Sequence, residues 1–148
     1  MRCCLWGTVG LRTLQTLAKS VPRVRLTPRT FISETSMNAL LARYRELAEL
    51  HGKHTVAGDA KKTNRTFDEL HSVLVDMVVE ESDILLFSLY EDDDRFVQLW
   101  SSAHTLELDE SRAKRKLKEL LDADIPIVSM SARYTISGWN EGGLRVRA

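Results

Sequence analysis

The chain has 148 residues, 43% hydrophobic and 28% charged, with seven glycines, three prolines and two cysteines. That length buries one core without disulfides or metals, and so little glycine and proline excludes a low-complexity chain. No apolar run approaches the roughly 18 to 20 residues that cross a bilayer, so neither a membrane span nor a membrane partner is expected.

The formal net charge of zero hides an asymmetry. Residues 1–36 carry Arg2, Arg12, Lys19, Arg23, Arg25 and Arg29 against Glu34 alone, whereas residues 37–148 hold the other fifteen basic and twenty acidic side chains. The leader is therefore at +5 and the remainder at −5. Both cysteines, Cys3 and Cys4, lie in the leader, which leaves the remainder without a thiol nucleophile or a Cys-bound zinc and fits a reducing compartment such as the cytoplasm. Rich in Arg, Ser and Thr, with Leu11, Leu14, Leu17 and Ala18 at helical spacing, the leader reads either as a mitochondrial transit peptide or as an extension upstream of a true start at Met37. In the first case "RTFIS" resembles a matrix-protease cleavage site. Residues 1–36 are set aside and residues 37–148 are taken as one folded domain.

From Met37 onward the apolar spacing is helical. Leu40, Leu41, Tyr44, Leu47, Ala48 and Leu50 mark a first helix capped by Ser36 or Asn38, with "GD" at 58 and 59 as its stop. Asp59 caps a second helix with the stripe Phe67, Leu70, Val73, Leu74, Met77 and Val78. Ser82 is placed to cap "DILLFSLY", which has hardly any polar face and is expected to be the central helix. A fourth helix carries Phe96, Val97, Leu99, Trp100, Ala103 and Leu106, and a fifth, "DESRAKRKLKELLDA", has the narrow stripe Ala113, Leu117, Leu120 and Leu121 of an outer helix. Pro126 biases Ile125 out of the helical region, so "DADIPIV" is a turn. A sixth helix near 128–139 buries Val128, Ala132, Ile136 and Trp139 and stops at Gly142 and Gly143. "IPIVSM" is the only strand-like run, which makes the fold all-α, about six helices in antiparallel pairs.

The acids Glu91, Asp92, Asp93 and Asp94 fan outward without a glycine to turn them, against what a magnesium or calcium site needs. In the first turn of a helix, acids satisfy free N–H groups, and Asp93 or Asp94 is expected to cap the helix opening at Arg95. Of the histidines, His51 and His54 in "HGKH" lack the frame of a zinc helix. His71 and His104 lie at helix edges beside apolar stripes, where hydrogen-bonded packing is expected over base catalysis. No phosphate loop or nucleophile elbow is present, no cofactor is implied, and a non-enzymatic role follows.

"DDDRFVQLWSSAHTL" resembles the start of a HEAT-type repeat, an acidic turn leading into a Val-Arg pair, two small residues and a leucine. Val97, Ser101, Ser102 and Leu106 sit at those positions, and Gln98 stands where the family favours Arg. Together with "RYRELAELHGKHTVAGDAKKTNRTFDEL" and "SARYTISGWNEGGL", the chain over about residues 38–144 resembles the small bacterial HEAT-like domain of unknown function numbered two thousand and nineteen. The resemblance implies a short right-handed stack of helix pairs with no catalytic residues to carry over, Ser101 and Ser102 allowing close approach and Trp100 filling the space between layers. Gln98 puts the arginine link between repeats in doubt.

In such a stack alternate turns share a rim, which places Glu91, Asp92, Asp93 and Asp94 beside Asp122 and Asp124, and Glu80, Glu81 and Asp83 beside Asp109 and Glu110. These six residues of the first rim are the candidate partner-binding site, for a basic protein. The basic run "RAKRKLK" is taken as a solvated outer face, since the negative domain argues against nucleic acid. The expected function is an immunity-type module that neutralises a basic partner or toxin. A general scaffold or assembly factor, in the mitochondrial matrix if the leader is real, and a HEAT-like nucleic-acid enzyme are the alternatives.

Overall fold

A computed structural model describes residues 34–145; most of the basic leader lies outside that range. Among the described residues the structure is helical with no strand, as the periodicity predicts. The elements are α1 (Glu34–Ala57), α2 (Ala60–Val79), a 3₁₀ segment (Asp83–Glu91), α3 (Arg95–His104), α4 (Glu110–Asp122) and α5 (Pro126–Asn140).

α1 already includes Glu34, Thr35 and Ser36, so neither Ser36 nor Asn38 is its cap. It passes through Gly52 and ends at Gly58, whose φ of +73° suits a residue without a Cβ. Asp59 then accepts the Lys62 N–H at 3.0 Å, starting α2 where expected. Buried Tyr44, Leu47 and Ala48 of α1 meet Phe67, Leu70, Leu74 and Met77 of α2 in one core cluster. Leu50, expected in the stripe, is 41% exposed, because the buried face turns through His51 and Gly52 instead.

"DILLFSLY" departs from expectation twice: it winds as a 3₁₀ helix, and it is peripheral. With three residues per turn, Asp83, Leu86 and Leu89 align and are buried, while Ile84 is 61% exposed. Ser82 makes no side-chain cap; its Oγ donates to Met77 O at 3.2 Å.

The central element is α3, and every residue from Val97 through the turn after it to Leu106 is buried. Val97 and Trp100 belong to the cluster shared with α1 and α2, whereas Leu99 joins Leu106, Ala113, Leu117, Leu120, Val128 and Ala132 in a second cluster. One ten-residue helix thus joins two cores. Ser101, Ser102 and Ala103 let neighbours approach, and the serine hydroxyls are satisfied inside α3 by donating to Gln98 O at 3.0 and 2.7 Å. α4 buries Ala113, Leu117 and Leu120 of its predicted stripe and leaves Leu121 half-buried, and α5 begins at Pro126 with Ile125 extended at ψ 111°. Ser129 ties that turn together, accepting the Ile125 N–H at 2.9 Å and donating to Leu120 O at 2.8 Å.

Candidate functional site

The acidic turn is built from α3's need for a start. Asp94 is its N-cap, accepting the Phe96 and Val97 N–H groups at 2.8 and 3.1 Å. Asp92, expected as a partner-binding residue, faces inward. Its carboxylate takes Arg45 of α1 in a two-pronged pair, Nε to Oδ2 at 2.6 Å and Nη2 to Oδ1 at 3.1 Å, and accepts the Asp94 N–H at 3.0 Å. Burial works against the charge, but the bonds from Arg45 and the Asp94 N–H outweigh it and hold the carboxyl below its ordinary range. Gln98 fits the same turn: its Nε2 donates to Asp92 O and its Oε1 accepts from Arg95 at 3.1 Å. The residue that departs from the HEAT pattern therefore bonds within its own turn.

Glu91 and Asp93 are the exposed members, and neither has an ion pair or hydrogen bond among the described residues. The same holds for Asp122, the last residue of α4, and for Asp124 just past it in the left-handed region at φ 54°. The short connection 105–109 returns the end of α4 toward the start of α3, and Phe96, Leu121 and Ile125 pack against one cluster. The four exposed acids Glu91, Asp93, Asp122 and Asp124 are thus close in sequence to Phe96, Leu121 and Ile125, which share that cluster. The second expected rim fares differently, since Asp83 is only 5% exposed. Neighbouring bases are engaged: Lys114 pairs with Glu110, Lys116 with Glu119 at 3.2 Å, and Arg112 lies over the Phe87 ring at 4.4 Å.

Three of the four histidines converge in the interior. His51, His71 and His104 surround Trp100, with ring centroids 5.0, 6.2 and 5.2 Å from it. Trp100 Nε1–H donates to His51 Nδ1 at 3.3 Å, so that nitrogen is unprotonated. His71 Nδ1–H donates to Phe67 O at 3.2 Å, and its Nε2 is buried with no hydrogen-bond partner among the described residues. Tyr44 Oη and His104 Nδ1 share a 2.5 Å hydrogen bond. Burial, joined by the proximity of His71 and His54, pushes His51 down to about 4; burial pushes His71 to about 4 against its bond to Phe67, and drives His104 well below 6.5. None of these rings is more than 3% exposed, so no solvent-borne substrate reaches them. Among the described residues no group of three His, Cys, Asp or Glu side chains is placed to hold a metal.

The packing role expected for His71 and His104 is what the structure places there, though both lie within the buried stripes rather than at their edges. His51 was missed because "HGKH" draws attention to its partner His54, which is only half-buried. A signal was present: His51, His71 and His104 each follow a core residue by four positions, Leu47, Phe67 and Trp100.

No protein-family model, curated protein or solved structure matches this chain.

Proposed function

We propose that this chain is a non-enzymatic protein-binding module that captures a basic partner on the rim formed by Glu91, Asp93, Asp122 and Asp124, in the manner of an immunity protein that blocks a toxin. The observation that carries this reading is the contrast in charge satisfaction. These four exposed carboxylates have no ion pair among the described residues, while Arg45, the base that reaches the acidic turn, is held by Asp92. An unpaired acidic surface raises the encounter rate with a cationic protein and selects against like charge. The enclosure of the three buried histidines supports a non-catalytic role for them. In the same reading the pairs α1/α2 and α4/α5 flank α3 as a short HEAT-like stack, and Asp92 and Asp94 shape the rim without touching the partner.

The test is titration of the chain with a fluorescent arginine-rich peptide at low and raised salt. Changing Glu91 and Asp93 to Gln and Asn, together with Asp122→Asn and Asp124→Asn, should weaken binding by about tenfold, corresponding to about 1.4 kcal/mol, and flatten its salt dependence. Equal affinity for parent and variant would sink the rim. Asp92→Ser and Asp94→Ser are unsuitable substitutions, because they disturb the Arg45 pair and the start of α3.

A further inference from the structure

The turn that ends α5 builds a second recognition geometry. Gly142 adopts φ +74°, and the N–H groups of Gly143 and Leu144 donate to Gly138 O at 3.0 and 3.1 Å. Leu144 is thereby folded onto the core at 7% exposure, and Arg145 lands over the indole of Trp139 with its guanidinium carbon 5.2 Å from the ring centroid. Leu106, Glu107 and Glu110 complete an open, shallow cleft of about 560 Å³. Hydrogen bonds from Lys114 and from the Trp139 indole, with the nearby charges of Lys114 and Arg145, hold the Glu110 carboxyl below its ordinary range.

We propose that this cleft is a receptor for an arginine side chain of the partner, which stacks on Trp139 beside Glu107 and Glu110 in place of Arg145. This rests on the reading of the chain as a binder of a basic protein, and adds a specific anchor to a diffuse charged rim. The chemistry selects arginine over lysine. A planar guanidinium can lie on an indole face while its edge donates to a carboxylate, whereas an ammonium is a compact and more strongly hydrated charge. Arg145 shows that a guanidinium lies over this indole, its Nη1 donating to Leu144 O at 2.9 Å. Arg145 stays tethered beside the cleft after displacement, so its guanidinium turns into solvent, where water and salt screen it from the incoming one. Occupancy by Arg145 also lowers the apparent affinity for any external arginine, since only the vacated fraction is competent to bind.

The experiment titrates the full chain with N-acetyl-arginine amide and, separately, N-acetyl-lysine amide, following the Trp139 indole N–H resonance identified through Trp139→Phe. The arginine probe should produce a saturable shift, with the lysine probe about threefold weaker or more. Arg145→Ala should tighten arginine binding several-fold, and Glu110→Gln should weaken it about tenfold. Equal responses to the two probes, a shift that never saturates, or no tightening in Arg145→Ala would overturn the proposal. The two readings fail separately. Loss of peptide binding in the four-site rim variant, with no response of Trp139 to the arginine probe, leaves the rim and removes the cleft. A saturable arginine response alongside unaltered peptide binding in that variant keeps the cleft and removes the rim.

Discussion

Packing an indole among three imidazoles works at residue scale only when its polar edge is satisfied and its faces are covered. Trp100 meets both conditions, donating to His51 and lying against Phe67 and His104 at 1% exposure. Trp100→Ala removes a large buried side chain at the junction of the two cores and should cost about 3 to 5 kcal/mol, measurable as a lowered denaturant midpoint at constant slope. Gly52 is the converse case. In an exposed helix an alanine would be favoured by about 1 kcal/mol, but a Cβ here would sit 2.8 Å from Phe96 Cβ and closer still to the base of its ring. The near end of the ring cannot swing away, so Gly52→Ala should destabilise by about 1 to 3 kcal/mol. A higher melting temperature for that variant would show that α1 and α3 have room to separate.

At the scale of elements, the acidic turn positions α3 and binds it to α1. The cap is local: Asp94→Ala should cost about 1 kcal/mol, and Asp94→Asn, which keeps an accepting oxygen, much less. The Arg45–Asp92 pair reaches across 47 residues, yet the Arg45 side chain is 40% exposed, so its loss should cost only about 1 kcal/mol or less and fade as salt is added. Urea melts of Asp94→Ala and Arg45→Ala at two salt concentrations separate the contributions, since only the second should converge on the parent. Equal salt sensitivity in the two variants would mean that the cap and the pair act as one unit. The acids thus matter to this element mainly through the backbone N–H groups and the guanidinium they satisfy.

For the whole molecule, the consequence of the buried imidazoles is a dependence of stability on pH. His51 and His71 take up protons only near pH 4 when folded and burial drives His104 well below the ordinary histidine value, while unfolded histidines titrate near 6.5. Between those values the unfolded chain binds more protons, so stability is greatest above 6.5 and is lost as pH falls toward 4. Each histidine contributes a slope of about 1.4 kcal/mol per pH unit at most, and the three together about 4. Against a domain stability of about 5 to 15 kcal/mol, that loss should unfold the chain in mild acid. Denaturant midpoints between pH 7 and 5 give the proton uptake directly. A flat profile would mean that the imidazoles charge without opening the core.

The sequence alone determined the helical class, most helix limits and the α2 and α4 stripes, because hydrophobic spacing, an Asp before a helix and a Gly or Pro after one act within a few residues along the chain. Asp59 and Asp94 as caps and Gly58 as a stop were legible for that reason. Only the tertiary structure decided that α3 rather than the apolar "DILLFSLY" lies at the centre. Apolar content states how much surface a segment gains by burial, whereas position depends on which helices reach it, and Ser101, Ser102 and Ala103 admit neighbours on every side. The roles of the acids divided on the same ground. Asp92 and Asp93 look alike in sequence, and Arg45 of a distant helix selects one and leaves the other in solvent. His51, His71 and His104 each sit four residues past a core side chain, but their convergence on Trp100 comes from packing three separate helices, which no local spacing encodes.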